Sequence, residues 1–366
     1  MSLKKDSFSS FDKKNMRFAI NLAKNQSGLT GTNPSVGCVI VKNKKIISYA
    51  VTNFNGRPHA ETIAFNRCRV NSKNSLIYVT LEPCSHHGKT PPCTNAIIKS
   101  KAKKVYYSIE DPDLRSFNNS KKVLNFKKIS TKSGLLKDET KRLYKNYDYV
   151  RKNKMPYVIG KLACSSNFYI LKNSKPITNH HCRKVSHLLR YQNQGILTSY
   201  KTVNSDNPKL NCRIKGLEKF SPTRLIIDKD LKIKMNSFIV NSSKKYNTII
   251  FHRSSNVNKI NNLKYKKIKL FFADLNKYGK IDLKFIFKKI YEKGIHSILA
   301  ECGSKLTNNI LKEKLFNEFY LFKSNNKIIS KDRLNVKSID KNLKNIFKIK
   351  ENVNTYLDKD LLIHYY

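Results

Sequence analysis

Tryptophan is absent from this 366-residue sequence, and glycine and proline are scarce, with 12 and 10 residues. So little glycine and proline excludes collagen-like and mucin-like proteins, whose chains repeat those residues. No stretch approaches the roughly 20 uncharged apolar residues that a membrane-spanning helix needs. Residues 1–12 are polar and contain no apolar core of a secretory signal. We therefore expect a cytoplasmic protein that does not enter the membrane.

Acidic residues are also scarce. The sequence contains 25 Asp and Glu but 73 Lys and Arg, which gives a net charge of +48. Such a charge is typical of nucleic-acid-binding proteins. However, the lysines are spread over the whole chain and accompany many asparagines and isoleucines, which share A/T-rich codons. A nucleic-acid footprint would concentrate the charge on one helix or stripe. We therefore favour codon composition as the source of the charge and do not expect a nucleic-acid partner.

The sequence has enough apolar material for folded domains, since 39% of its residues are hydrophobic and it holds 19 Tyr and 19 Phe. Its length favours two domains. Eight cysteines occur at irregular spacing. Without a secretory signal, we expect them to be free thiols or metal ligands instead of a disulfide framework.

The first part of the chain alternates strand and helix patterns, which predicts an α/β domain over residues 1–150. The order β-β-α-β-α-β after a first helix is typical of a three-layer arrangement. The predicted helices are 11–27, 60–70 and 93–99, and the predicted strands are 36–41, 46–51, 76–80 and 105–109.

A second α/β domain is predicted over residues 151–366. A charged helical stretch over 136–154 ends at Met155-Pro156, because the residue before proline is disfavoured in a helix. Short apolar runs then alternate with helical patterns, which indicates a largely parallel sheet. Strands are predicted at 157–163, 195–199, 223–228, 248–252 and 297–301, and helices at 182–191 and 283–293.

The strongest functional signal combines His59 and Glu61 with Cys84 and Cys93. One imidazole and two thiolates are three of the four ligands that zinc prefers, and a catalytic site leaves the fourth position to water. Glu61 lies two residues after His59 and is expected to carry protons without binding the metal. This combination is typical of zinc nucleobase deaminases, in which zinc activates the attacking water.

Two other interpretations of these residues are weaker. Chance occurrence is disfavoured because each member lies at a predicted strand-to-helix junction. A structural zinc site normally closes with four protein ligands. No convincing fourth ligand is in register, although His86 and His87 are near.

The run from Leu81 to Cys93, which reads LEPCSHHGKTPPC, resembles the bifunctional deaminase–reductase family of riboflavin biosynthesis. The eight residues between its two cysteines distinguish it from most nucleoside and tRNA deaminases, and the run 33–41 also matches this family. The resemblance implies a cytidine-deaminase-like α/β/α domain with zinc held by His59, Cys84 and Cys93, and Glu61 as the catalytic proton carrier. It also implies substrate contacts from Asn33, His86, Lys89, Asp111 and Asp113.

The second domain resembles the reductase half of the same family, which is a dihydrofolate-reductase-like α/β domain that uses NADPH. By this resemblance, substrate would be contacted by Ser174, Arg190, Arg213 and Glu301. The cofactor would be held by Lys161, Thr202, Asp206, Gly303, Ser304, Lys305, Leu306, Thr307, Asn308 and Asn309. Independently, a glycine that opens a helix after a strand offers free N–H groups to a phosphate.

The reductase half also departs from the family pattern. Asn167-Phe168 stands where the family has Asp-Gly, and phenylalanine should alter a turn that glycine permits. Asn207 stands where the family has an aspartate. These departures keep open a deaminase whose second domain is inactive.

The sequence therefore predicts a riboflavin-pathway enzyme with zinc and NADPH as cofactors. It would deaminate a diamino-pyrimidinone ribosylamino phosphate and then reduce the ribosyl group to ribityl. Besides this phosphorylated pyrimidine, we expect a second copy of the chain as a partner in a homo-oligomer. Alternatives are a deaminase-only enzyme, an RNA deaminase, and a basic nucleic-acid-binding protein without catalytic activity.

Overall fold

The structure is a computed structural model that describes residues 8–68, 72–171 and 176–366. The chain divides into two compact units, Met1–Lys154 and Met155–Tyr366. Within the described ranges, no helix combines the length and the apolar character that crossing a membrane requires.

The first unit is a five-stranded sheet covered by helices on both faces. The sheet order is β2-β1-β3-β4-β5, in which β3, β4 and β5 are parallel and β1 is antiparallel to both of its neighbours. Its strands are β1 (Gly37–Lys42), β2 (Lys45–Val51), β3 (Leu76–Leu81), β4 (Lys104–Ile109) and β5 (Ser130–Ser133). Its helices are α1 (Ser10–Asn25), α2 (Ala60–Cys68), α3 (Cys93–Lys99), α4 (Asn119–Phe126) and α5 (Lys137–Asn153).

The central strands of this sheet are buried on both faces, because helices cover both sides of the sheet. Successive side chains of a strand point to opposite faces, so neighbouring residues enter different cores. In β1, Cys38 and Ile40 belong to one apolar core, while Val39 and Val41 belong to a second core with Met16 of α1. Two cores on opposite faces of one sheet make the three-layer α/β/α arrangement that the strand order predicts.

The second unit contains a nine-stranded sheet of order β11-β10-β9-β8-β12-β6-β13-β16-β15 and a two-stranded sheet of β7 and β14. Its strands are β6 (Tyr157–Cys164), β7 (Tyr169–Leu171), β8 (Gly195–Ser199), β9 (Thr223–Ile227), β10 (Thr248–His252), β11 (Lys269–Phe272), β12 (Ser297–Ala300), β13 (Glu318–Lys323), β14 (Arg333–Asn335), β15 (Lys350–Asn352) and β16 (Leu361–Tyr365). Its helices are α6 (His180–Tyr191), α7 (Tyr200–Asp206), α8 (Phe238–Asn241), α9 (Val257–Tyr265), α10 (Leu283–Glu292), α11 (Ser304–Lys312) and α12 (Lys337–Ile346).

From β11 to β13 every pair in the large sheet is parallel, and β16 and β15 close one edge in antiparallel fashion. Gly160 permits close packing at the centre of this sheet. A Cβ atom there would lie 2.1 Å from the ring of Phe319. Glycine is therefore required where β6 passes β13.

The α/β architecture of both units confirms the predicted fold class. The strands predicted at 195–199 and 248–252 and the helix at 93–99 have the observed bounds. The predicted helix over 60–70 is observed to Cys68, and its last two residues lie outside the described ranges.

Phe168 lies in the turn that its substitution for glycine is expected to alter. It adopts a left-handed conformation with a φ of 61°, which glycine takes more readily than a residue with a Cβ atom. The Phe168 N–H donates to the Ser165 carbonyl at 3.0 Å, and the N–H of Val336 donates to the Phe168 carbonyl at 2.9 Å. These hydrogen bonds stabilise the turn, although the left-handed conformation is unfavourable for a residue with a Cβ atom. A change of this turn relative to the family stays a prediction.

Candidate active sites

The three predicted metal ligands meet at the carboxyl end of β3 and the starts of α2 and α3. His59 immediately precedes α2, Cys84 follows β3, and Cys93 is the first residue of α3. The His59 Nδ1 atom lies 3.3 Å from Cys93 Sγ and 3.7 Å from Cys84 Sγ. Their ligand atoms all lie within 4.8 Å of one another. This convergence is close enough for one metal ion to contact all three.

The donor set suits zinc. A hydrogen bond from Cys93, together with His59, lowers the pKa of Cys84 to about 4 despite its partial burial, which favours the thiolate form that binds zinc. The backbone N–H of Cys93 also donates to Cys84 Sγ at 3.2 Å. One nitrogen and two sulfurs, with no fourth protein ligand in the cluster found among the described residues, form the open donor set of a catalytic zinc site.

Glu61 lies in the first turn of α2, and only 3% of it is exposed to solvent. Burial raises the pKa of its carboxyl above the ordinary value, although His59 opposes this shift. A raised pKa makes the carboxyl easier to protonate, which favours a role in general acid–base catalysis. Glu61 therefore lies in the same cavity as His59 and Cys84, and its role as proton carrier stays a prediction.

A cavity of about 470 Å³ adjoins this cluster and is lined by all five predicted substrate residues of the first unit. These residues are Asn33, His86, Lys89, Asp111 and Asp113. The Asn33 amide donates to the Gly56 carbonyl at 2.9 Å, and the His86 Nδ1 atom lies 3.0 Å from Ser116 Oγ. The structure thus brings these residues together around one pocket.

The two aspartates of the pocket have opposite electrostatic environments. Burial raises the pKa of Asp111 to about 6. Hydrogen bonds from Arg115 instead hold the pKa of Asp113 well below its usual range. Arg115 binds Asp113 through two bonds of 2.9 and 2.6 Å, and Arg151 lies 3.5 Å from the same carboxylate. The negative charge of Asp113 is therefore balanced by the two arginines, whereas Asp111 has a raised pKa.

Sequence reasoning missed several residues of this pocket. Arg57, Glu82, Arg115, Tyr147 and Arg151 also line it. The buried carboxylate of Glu82 accepts hydrogen bonds from the backbone N–H groups of Asp111, Asn118 and Ser120 and therefore holds the substrate loop. The sequence alone offers one signal that Arg57 belongs to the pocket, because Arg57 lies only two residues before the metal ligand His59.

In the second unit, the predicted substrate residues Arg190, Arg213 and Glu301 lie together. Arg190 donates two hydrogen bonds to Glu301, of 2.7 and 2.9 Å, and both side chains are only 12% and 13% exposed. Burial and the adjacent Arg190 lower the pKa of Arg213. Ser174, the fourth predicted residue, lies outside the described residues.

Asn211 links these two arginines and was not predicted. Its carbonyl accepts from Arg190 at 3.2 Å, and its Oδ1 atom accepts from Arg213 at 3.0 Å. His187 accepts the Arg213 backbone N–H at 3.3 Å, and burial lowers the pKa of His187 to about 4. The sequence offers one signal for Asn211, which is that a polar residue lies between positions that match the reductase family.

A second cavity of about 480 Å³ lies beside the start of α11 and the carboxyl ends of β8 and β9. Lys305, Leu306 and Asn309 line it together with Ser199, Tyr200 and Lys201. The N-cap of α11 is Gly303, which has no capping side chain. Free N–H groups at the start of a helix, next to several lysines, favour a phosphate-bearing ligand.

The remaining predicted cofactor residues do not line this cavity. Thr202 lies against Gly303, because a Cβ atom on that glycine would be 3.3 Å from Thr202 Oγ1. Thr307 is buried and donates to the Cys302 carbonyl, and Asn308 accepts from Asn342 of α12. Asp206 accepts from its neighbour Ser205. Ser304 is half-buried in the first turn of α11.

Lys161 is half-buried on β6, and desolvation of its ammonium lowers its pKa, although Glu301 opposes the shift. Its ammonium also lies 5.3 Å from the ring centroid of Phe322. The electrostatic link to Glu301 associates Lys161 with the Arg190–Glu301 pair. The roles of Lys161 and of the other cofactor residues remain predictions.

Two family models match the chain. A cytidine and deoxycytidylate deaminase zinc-binding region matches residues 9–109, and a RibD C-terminal domain matches residues 168–324. The first match includes His59, Cys84 and Cys93, and the second includes Arg190, Arg213 and Glu301.

Similar proteins cover nearly the whole chain. Riboflavin biosynthesis protein RibD of Aquifex aeolicus is 32% identical, covering 97% of this chain and 98% of the relative. RibD of Actinobacillus pleuropneumoniae is 33% identical over 84% of this chain and 82% of its own. A diaminohydroxyphosphoribosylaminopyrimidine deaminase/5-amino-6-(5-phosphoribosylamino)uracil reductase from Thermotoga maritima has a similar structure. Its TM-score is 0.82 at 29% identity, covering 97% of this chain and 98% of that chain.

Proposed function

Because the chain belongs to the RibD family of riboflavin biosynthesis proteins, we propose that its two units catalyse consecutive steps on one phosphorylated pyrimidine. The first unit hydrolyses an amino group of 2,5-diamino-6-ribosylamino-pyrimidinone 5'-phosphate and releases ammonia. The second unit then reduces the ribosyl group to ribityl with NADPH. The observation that carries this proposal is the convergence of His59, Cys84 and Cys93 beside Glu61 in a cavity lined with polar side chains.

In the deaminase, the residues divide between metal binding, proton transfer and substrate binding. Zinc held by His59, Cys84 and Cys93 would supply an activated water. Glu61 carries the proton to the departing amine, because burial has raised its pKa. Asn33, His86 and Asp111 hold the base edge, since all three line the cavity with polar groups that suit a pyrimidine.

In the reductase, charged residues orient the substrate and the start of α11 holds the cofactor. NADPH supplies the hydride. Arg190 and Arg213 offer guanidinium groups to the substrate phosphate, while Glu301 fixes the orientation of Arg190. Gly303, Lys305 and Asn309 hold the cofactor at the helix N-terminus, with Thr202 next to Gly303. Lys161 contributes from β6, near the Arg190–Glu301 pair.

The deaminase assignment is tested by the Glu61→Gln variant. We expect it to retain about one zinc per chain and to lose ammonia release by at least about 100-fold, the low end of general acid–base contributions. Metal analysis and an ammonia assay on the same sample measure both quantities. Loss of zinc from this variant would show that Glu61 is structural, and full activity without zinc would contradict the assignment.

Three finer properties belong to the same proposal. The protein functions in the cytoplasm, where a reducing environment would keep its cysteines as the free thiols that the structure has. It forms a homo-oligomer, which light scattering tests. It binds nucleic acid only non-specifically, with a dissociation constant of roughly 10⁻⁴–10⁻⁶ M at physiological salt. Tight, sequence-selective binding would contradict this last expectation.

A further inference from the structure

Arg57 lies in the wall of the deaminase cavity and is half-buried. Its Nη1 atom donates to Thr90 Oγ1 at 2.7 Å. Its Nη2 atom lies next to the backbone of Gly88, where an added Cβ would be 3.9 Å away. The guanidinium is therefore held over the loop that carries Lys89, at the entrance to the metal cluster.

The cations of this cavity differ in whether an anion already neutralises them. Arg115 and Arg151 both face the carboxylate of Asp113. Arg57 and Lys89 have no carboxylate within 4 Å among the residues that the structure describes. Two positive charges without an acidic partner thus remain on one side of the cavity.

His59 cannot serve as the partner of Arg57. The two side chains approach to 3.5 Å between Arg57 Nη1 and His59 Nε2. The Nδ1 atom of His59 faces the two sulfurs. If Nδ1 binds a metal, Nε2 carries the ring proton, and a guanidinium can only donate. Two donors then face each other, so His59 does not accept from Arg57. The acceptor that Arg57 does have, the Thr90 hydroxyl, carries no charge.

Removing a guanidinium from water without an anion is costly, so an anionic ligand is the expected partner. A phosphate monoester carries roughly −1.5 to −2 charges at pH 7. This matches the two unpaired cations. Arginine also presents a planar pair of N–H groups that suits phosphate oxygens better than a lysine ammonium does.

We propose that Arg57 and Lys89 together bind the 5'-phosphate of the deaminase substrate, and that Arg57 makes the deaminase selective for the phosphorylated form. Thr90 fixes the orientation of Arg57 by accepting a hydrogen bond from its Nη1 atom. This inference rests on the proposed deaminase function and adds a specificity-determining residue to it.

The alternative role of Arg57 is a brace that supports the 88–90 loop through Thr90. The two roles differ in what they predict for a substrate without phosphate. A phosphate-binding residue lowers kcat/KM only for the phosphorylated substrate. A brace lowers kcat/KM for both forms, because the 88–90 loop connects His86 to the metal ligand Cys93.

The test compares ammonia release from the phosphorylated substrate and from its dephosphorylated nucleoside, with full-length wild type, Arg57→Gln, Arg57→Lys and Arg67→Gln. Arg67 is the matched control, since it is an exposed arginine on α2 that donates to the Tyr49 carbonyl outside the cavity. Zinc content is measured for each protein.

We expect Arg57→Gln to lower kcat/KM for the phosphorylated substrate about 10- to 100-fold, the range for a lost charge-assisted hydrogen bond. Its activity on the nucleoside and its zinc content should stay at the wild-type level. Arg57→Lys should lose less, and Arg67→Gln should lose nothing. Equal losses on both substrates, a loss of zinc, or no loss at all would overturn the role of Arg57. Absence of ammonia release by the wild type would instead contradict the proposed function itself.

Discussion

Arg190 of α6 and Glu301 at the end of β12 form a buried ion pair with two parallel hydrogen bonds, Nε to Oε1 at 2.7 Å and Nη2 to Oε2 at 2.9 Å. Burial alone would raise the pKa of Glu301, but Arg190 and Lys161 lower it to about 2. The pair fixes the orientation of the Arg190 guanidinium. We therefore expect it to contribute to the stability of the second unit and to the proposed binding of substrate.

Glu301→Gln should therefore lower the free energy of unfolding of the second unit by about 3–5 kcal/mol, because Arg190 is left buried without its anion. The pKa of Glu301 in the folded state is depressed, so the wild-type advantage is present above the ordinary value near 4.5 and is lost as the pH falls toward 2. Denaturant unfolding at pH 7 and pH 3 measures it. The exposed pair of Lys289 and Glu292 provides the control, since Glu292→Gln should change little. Equal effects of the two variants would contradict this account.

Asp111→Asn should stabilise the first unit at alkaline pH. Tyr147 and the Asp113 N–H both donate to one oxygen, Oδ1 of Asp111, which an asparagine retains. The pKa of Asp111 is raised to about 6, so its contribution to stability is fully present below about 4 and is lost as the pH rises through 6. At pH 8 the variant should exceed the wild type by up to about 3 kcal/mol and should bind substrate more weakly.

Urea unfolding at pH 4 and pH 8 measures this effect. Asp148→Asn is the matched control, because the Asp148 side chain is 43% exposed and pairs with Lys152 one turn along the same helix. A variant at Asp111 that is less stable than the wild type at pH 8 would show that the carboxylate is needed for the fold.

Gly303→Val should weaken NADPH binding at least about tenfold while the protein stays folded. Gly303 has a φ of −65°, which any residue adopts, so the backbone does not resist the change. A Cβ atom would lie 3.3 Å from Thr202 Oγ1, and the branched side chain would cover the free N–H groups of α11. Titration of nicotinamide fluorescence measures the binding, and ammonia release by the same protein is the internal control. An unchanged NADPH affinity would show that the cofactor does not bind at the start of α11.

The zinc cluster could be predicted from the sequence because its chemistry is encoded in short spacings. His59 and Glu61 are two residues apart, and a single loop brings Cys84 to the start of α3. Tyr147 and Arg151 escaped prediction because α5 is far along the chain and reaches the cavity only through tertiary packing. Their spacing of four residues places them on one helix face, but nothing local relates that face to zinc.

Helix α12 was missed for a different reason. Its buried residues Ile339 and Leu343 follow the spacing of a helix, but the lysines and asparagines around them dilute the pattern. Its place in the fold depends on distant contacts, such as the hydrogen bond from the Tyr365 hydroxyl to Asp340. Asn207 is better understood with the structure, since it adopts a φ of 42° that asparagine tolerates and accepts the Phe238 N–H.

The most direct test of the central claim, that one chain catalyses both steps, is a two-step assay with the full-length protein. Ammonia release and NADPH oxidation are followed separately from the diamino-pyrimidinone ribosylamino phosphate. We expect ammonia to appear first and one NADPH to be oxidised for each ammonia released. Glu61→Gln should stop both signals, and added deaminated intermediate should restore NADPH oxidation. Ammonia release without any NADPH oxidation, even with that intermediate present, would contradict the account and leave a deaminase with an inactive second unit.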